Sequence, residues 1–162
     1  MESDETRLRR FEDDLNVSGT GVIVMGAWAA VKTLAEMFLG TDSVFEQITE
    51  DTENRLLIIV IAIVMILIIL SVVMFFHIYV GLNAIKASKG IGYKKTYLFF
   101  AVIMLMVTLA GFIVYKDIFK DMENIDTSIA SLLVDLTTVY IYVAVIRSTY
   151  MINSIKKKHL QE

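Results

Sequence analysis

The chain has 162 residues, a formal net charge of −3, 56% hydrophobic and 20% charged residues, and a mean hydropathy of +0.65. Its apolar residues come in long blocks with the charges between them, which excludes an ordinary soluble core, where a polar face recurs every few residues. Cysteine and proline are both absent, which excludes disulfides, thiolate metal sites, thiol chemistry, palmitoylation and proline kinks, and the acidic balance without one strong basic face argues against nucleic acid.

Residues 1–16 hold six acids and three arginines. That is the wrong composition for a secretory signal, which needs a basic start and a short apolar region. Glu2 stands where N-myristoylation needs glycine. The segment is expected to be a cytoplasmic tail, and the first apolar stretch an uncleaved span.

A spanning helix needs ~20 mostly apolar residues, because ~1.5 Å of rise per residue must cover ~30 Å of hydrocarbon. Four stretches qualify: about 17–39, 56–80, 97–115 and 128–152. Span two is apolar at every step from Leu56 to Phe76 except Ser71. It cannot alternate as a barrel strand does. The predicted fold is therefore an all-α membrane protein, a four-helix transmembrane bundle over residues 17–155, with a basic cytoplasmic tail over 156–162.

Between spans one and two, Ser43 and Glu46 fit a capping box, with Val44, Phe45 and Ile48 forming a small apolar face. A short surface helix is expected there. Gly90 and Gly92 mark a turn between spans two and three. Asp126 is placed to cap span four, since its carboxylate can accept orphan amide hydrogens. No internal repeat or soluble domain is visible.

Orientation follows from lysine and arginine in the short flanks. Eleven of them lie in three segments: Arg7, Arg9 and Arg10; Lys86, Lys89, Lys94 and Lys95; and Arg147, Lys156, Lys157 and Lys158. Only Arg55, Lys116 and Lys120 lie in the other two loops, which also carry nine acids. With four spans the three basic segments share one side, expected to be the cytoplasm, so both termini are cytoplasmic. The lysines of the middle loop and of the tail are expected to meet anionic lipid headgroups.

Span four carries Ser128, Ser131, Asp135, Thr138, Tyr142, Thr149 and Asn153 at helical spacing, a polar stripe broken near Val145. Span one carries a weaker stripe through Ser18, Gly21, Met25, Trp28, Lys32 and Glu36. Gly26 with Ala30, and Ala29 with Thr33, are small pairs of the kind that let helices approach closely in lipid. Span two, nearly free of polar residues, is expected to be the most lipid-exposed helix.

Lys32 lies seven residues inside the end of span one, and Asp135 seven inside the start of span four. Both are therefore ~10 Å below the outer boundary. A lone charge at the bilayer centre costs ~2.5–3.5 kcal/mol on insertion scales, so opposite charges at matched depth are expected to pair. Glu36, one turn away, is placed to share the lysine. His77, near the inner end of span two, is a candidate proton-sensitive group, though a lone interfacial histidine is more often simply hydrated. Tyr93, Tyr97, Tyr115 and Tyr150 fall near predicted boundaries as interface anchors, and mid-span Trp28 reads as a packing residue.

No cysteine nucleophile, HExxH, GxSxG or phosphate-cradling loop is present. The chain is expected to be neither an enzyme nor a cofactor or metal carrier. Its expected role is that of a non-catalytic, partner-binding or accessory subunit, acting through its helix faces on another membrane protein or a second copy. The alternative is a small oligomeric channel or transport component for cations or protons, lined by spans one and four.

Overall fold

The computed structural model describes residues 3–39, 55–118 and 125–159, with side chains over 3–35, 56–113 and 131–158. Among the described residues the regular structure is helical: α1 is Asp4–Leu39, α2 is Arg55–Ser88, α3 is Thr96–Ile118 and α4 is Ile125–His159. Each is long and apolar enough to cross a membrane. The surface helix expected at Ser43 to Glu46 lies outside the described residues, as does the side chain of Asp126.

Three helices exceed the spans read from hydropathy. The 36, 34 and 35 residues of α1, α2 and α4 correspond to ~54, ~51 and ~52 Å at ~1.5 Å per residue, against ~30 Å of hydrocarbon. The segment before Val17 is a continuation of α1. It starts where Ser3 caps it: the Thr6 amide donates to Ser3 Oγ at 3.3 Å and the Arg7 amide to the Ser3 carbonyl at 3.1 Å. Asp4 and Glu5 then place negative charge at the positive end of the helix dipole. At the other terminus α4 runs on to His159.

The turn after α2 has a definite cause. Gly90 takes a left-handed φ of 67°. The Ile91 amide donates to the Lys86 carbonyl at 3.0 Å and the Gly90 amide to the Ala87 carbonyl at 3.2 Å, the two bonds of a Schellman cap. Asn83 ties this turn to its helix, donating to the Tyr79 carbonyl at 2.8 Å and accepting from the Lys94 amide at 3.3 Å.

The helices run antiparallel in a ring, each beside its neighbours in sequence, with α4 closing against α1. Packing is closest between α1 and α2, where glycines bring the backbones together. A Cβ added to Gly81 would lie 2.6 Å from the Gly19 carbonyl oxygen, and one added to Gly26 would lie 2.5 Å from the Cβ of His77. Gly26 thus belongs to a close helix contact, and its neighbour across the gap is the supposedly lipid-facing span two.

The core occupies the half of the bundle nearest the chain termini. Its buried side chains come at helical spacing from every helix: Leu15 and Val22 of α1, Val80 and Ala84 of α2, Tyr97 and Ala101 of α3, Tyr142 and Val145 of α4. In the far half the pattern ends. Between Leu56 and Phe76 no residue of α2 is buried, so α2 lacks core residues over its first two thirds and is a core element over its last third.

Three substitutions test these contacts by the melting of the purified protein in mild detergent. Gly26→Ala is expected to destabilise by ~1–3 kcal/mol through overpacking against His77, while Gly111→Ala, whose added Cβ meets nothing within 4 Å, leaves the midpoint unchanged or raised. Gly90→Ala is expected to cost ~1 kcal/mol from its left-handed backbone. Equal midpoints for Gly26→Ala and Gly111→Ala would contradict the close approach of α1 and α2.

Candidate functional site

The two ionisable residues that match in depth are brought together. Lys32 Nζ of α1 donates to Asp135 Oδ2 of α4 at 3.3 Å. Their side chains are 21% and 25% exposed, so the pair is neither sealed in the core nor open. It bridges the two helices above the buried half of the bundle. Glu36 follows Lys32 by one turn of α1, and its side chain lies outside the described residues. Ser131, one turn before Asp135, is half-buried.

The remaining stripe of α4 turns inward below the pair. Thr138 is buried and donates to the Val134 carbonyl at 2.9 Å. Thr149 is buried and donates to the Val145 carbonyl at 2.8 Å. A hydroxyl has one hydrogen, so Thr149 can only accept from Tyr97, whose Oη lies 2.6 Å from its Oγ1. This chain of two bonds ties α3 to α4. Tyr142 is also buried, and its hydroxyl has no hydrogen-bond partner among the described residues. Asn153, at the terminal end of the stripe, is exposed.

Tyr97 is therefore not an interface anchor. It is fully buried, because α3 starts at the turn and enters the core at once. Tyr150 and Trp28 are both exposed. For Trp28 this reverses the expectation of a packing residue: among the described residues nothing covers it.

His77 lies ~17 Å from the end of α2 at Ser88, at ~1.5 Å per residue. It is 4% exposed, covered by Gly26 of α1 and with its ring centroid 6.0 Å from that of Tyr142. Its Nδ1 lies 2.9 Å from the Val73 carbonyl. A carbonyl only accepts, so Nδ1 carries hydrogen and, in the neutral ring, Nε2 is the acceptor. The close-approach glycine read from the sequence, Gly26, is the residue of α1 that seats the imidazole, a pairing with span two that spacing along one helix does not reveal.

The basic residues divide by geometry. Lys86, Lys89, Lys94 and Lys95 are exposed around the middle turn, and Lys157 is exposed on α4. Lys156 donates to Glu12 at 2.9 Å and Lys158 to Asp4 at 3.0 Å, so two tail lysines tie the end of α4 to the start of α1. Such exposed pairs contribute ~0–1 kcal/mol each. Among the described residues no three His, Asp or Glu side chains converge as a metal site.

A double-mutant cycle on Lys32→Met and Asp135→Asn, read by unfolding in detergent or bicelles, is expected to give a coupling of ~1–3 kcal/mol. Lys32→Met should be the costlier single change, since the short stem of Asp135 cannot lift its charge to the interface as lysine can. Additive single effects would mean that the contact carries no energy. Tyr97→Phe should cost ~1 kcal/mol, the net value of one buried hydrogen bond.

No protein-family model, curated protein or solved structure matches this chain.

Proposed function

We propose that this chain is a multi-pass cell-membrane protein with both termini cytoplasmic. It acts without catalysis, by binding a partner subunit, in the first instance a second copy, through the face that carries Lys32 and Asp135. The observation that carries this reading is the state of that pair: joined at 3.3 Å, yet a fifth to a quarter exposed at a depth where the surrounding solvent is hydrocarbon. Charge left against lipid is costly, and a neighbouring helix that covers it with polar or small residues lowers the cost.

The surroundings support an interface. Trp28 lies one turn from Lys32 on α1 and is 53% exposed, an amphipathic aromatic of the kind that dominates binding energies. Below the pair, the hydroxyls of Thr138, Thr149 and Tyr97 are committed to bonds within the bundle, which supports polar packing over a wetted ion path. Orientation rests on charge: eleven of the fifteen basic residues belong to the segments at the end holding the termini, the distribution that keeps that end in the cytoplasm.

The protein in mild detergent should sediment with the mass of at least two chains. Trp28→Ala combined with Lys32→Met and Asp135→Asn should weaken that association by about tenfold or more. A single-chain mass at every concentration would remove the self-association. Cation or proton flux in liposomes, abolished by Asp135→Asn, would replace this reading with the transport alternative.

A further inference from the structure

A second feature is a groove whose charged mouth lies ~18 Å along α4 from Asp135. It is an open groove of about 460 Å³ between the first turns of α1 and the middle third of α4, in the half of the bundle nearest the termini. Arg7 and Arg10 of α1 and Arg147 of α4 line it, with Asp14 beside them. Three guanidiniums against one carboxylate leave the lining with a formal charge of +2. Arg7 is 3.7 Å from Asp4, while Arg10 and Arg147 are exposed and make no ion pair among the described residues. Farther along the same groove the walls become apolar, with Val17 of α1 and Tyr140 and Val143 of α4. Val17 is 71% and Tyr140 74% exposed, so nothing among the described residues covers them.

The polarity changes in the same direction on both helices. Arg10 precedes Val17 by seven residues and Arg147 follows Tyr140 by seven, ~10 Å in each case. Because the helices are antiparallel, the charged mouth faces the end of the bundle and the apolar walls run toward its middle. A soluble anion would satisfy the mouth and leave the walls unused. A molecule with a phosphate at one end and a hydrocarbon chain at the other fits both.

We propose that this groove is a specific site for an anionic phospholipid. Arg10 and Arg147 hold the phosphodiester, with Arg7 at the rim, and an acyl chain lies along Val17, Tyr140 and Val143. Guanidinium matches phosphate through paired, directed N–H donors, which sets this site apart from the dispersed lysines of the middle turn. Asp14 accepts only, so it favours headgroups that carry a hydrogen-bond donor, such as glycerol. The site needs the four helices to lie in a bilayer and is independent of any partner subunit.

The test uses the delipidated full chain in detergent, with native mass spectrometry of bound dioleoylphosphatidylglycerol, dioleoylphosphatidylcholine or glycerol 3-phosphate. The wild type should retain the glycerol lipid in preference to the choline lipid and bind no glycerol 3-phosphate at the same concentration. Arg10→Gln with Arg147→Gln should weaken the anionic lipid by about thirtyfold, the effect of deleting two basic contacts at an anionic surface, and leave the choline lipid unchanged. Lys86→Gln with Lys89→Gln should do little. The proposal is overturned if the two lipids bind alike, if the lysine pair matters as much as the arginine pair, or if glycerol 3-phosphate displaces the lipid. Should the glutamine variant lose its helical circular dichroism, Arg10→Lys with Arg147→Lys keeps the charge without the fork. A several-fold loss then supports the site, and wild-type affinity overturns it.

Discussion

In a hydrocarbon solvent apolar side chains gain nothing by leaving lipid for one another, so helices hold together through van der Waals contact, hydrogen bonds and close backbone approach. The approach of α1 to α2 at Gly19, Gly26 and Gly81 is where this constraint is met. The other features of the half nearest the termini follow from it. With no side chain at Gly26, the imidazole of His77 lies against the α1 backbone and reaches toward Tyr142 of α4. Leu15 and Val22, on the glycine face of α1, become fully buried. The ring of helices then closes through Tyr97 and Thr149, a buried hydrogen bond between α3 and α4.

The far half is built differently. There α2 presents long aliphatic side chains that prevent close approach, and none of its residues from Leu56 to Phe76 is buried. What joins α1 to α4 at that level is charge, the contact of Lys32 with Asp135. The molecule thus has one end held by small residues and shape, and another in which a polar contact stands among exposed hydrophobics. An association face belongs at the second end, where packing within one chain is least complete, and Trp28 lies beside it.

At the end holding the termini, the overlong helices form a charged rim. Glu12 and Asp4 of α1 take up Lys156 and Lys158 of α4, while Arg10 and Arg147 are left facing a groove. Acidic residues in the first turns of α1 thus neutralise part of the basic end of α4 and leave the arginines as the available cations. The proposed orientation and the proposed lipid contact rest on the same end, because lysine and arginine retained on one side of a bilayer meet the anionic lipids of that side.

Hydropathy alone showed that there are four membrane-length helices, since block length and the absence of alternation are properties of the chain in one dimension. Spacing also placed Lys32 and Asp135 at one depth, because rise per residue is constant in a helix. The positions of His77, Tyr97 and Trp28 were not legible in this way. Whether a residue in a long helix faces lipid or protein depends on which neighbour lies beside it and how each helix is rotated. Here the glycine contact of α1 with α2 puts His77 inside, the entry of α3 into the core straight from the turn buries Tyr97, and Trp28 is left outside. The groove between α1 and α4 was hidden for the same reason: Arg10 and Arg147 are 137 positions apart in the sequence, and only the antiparallel closure of the bundle makes them neighbours along one cavity.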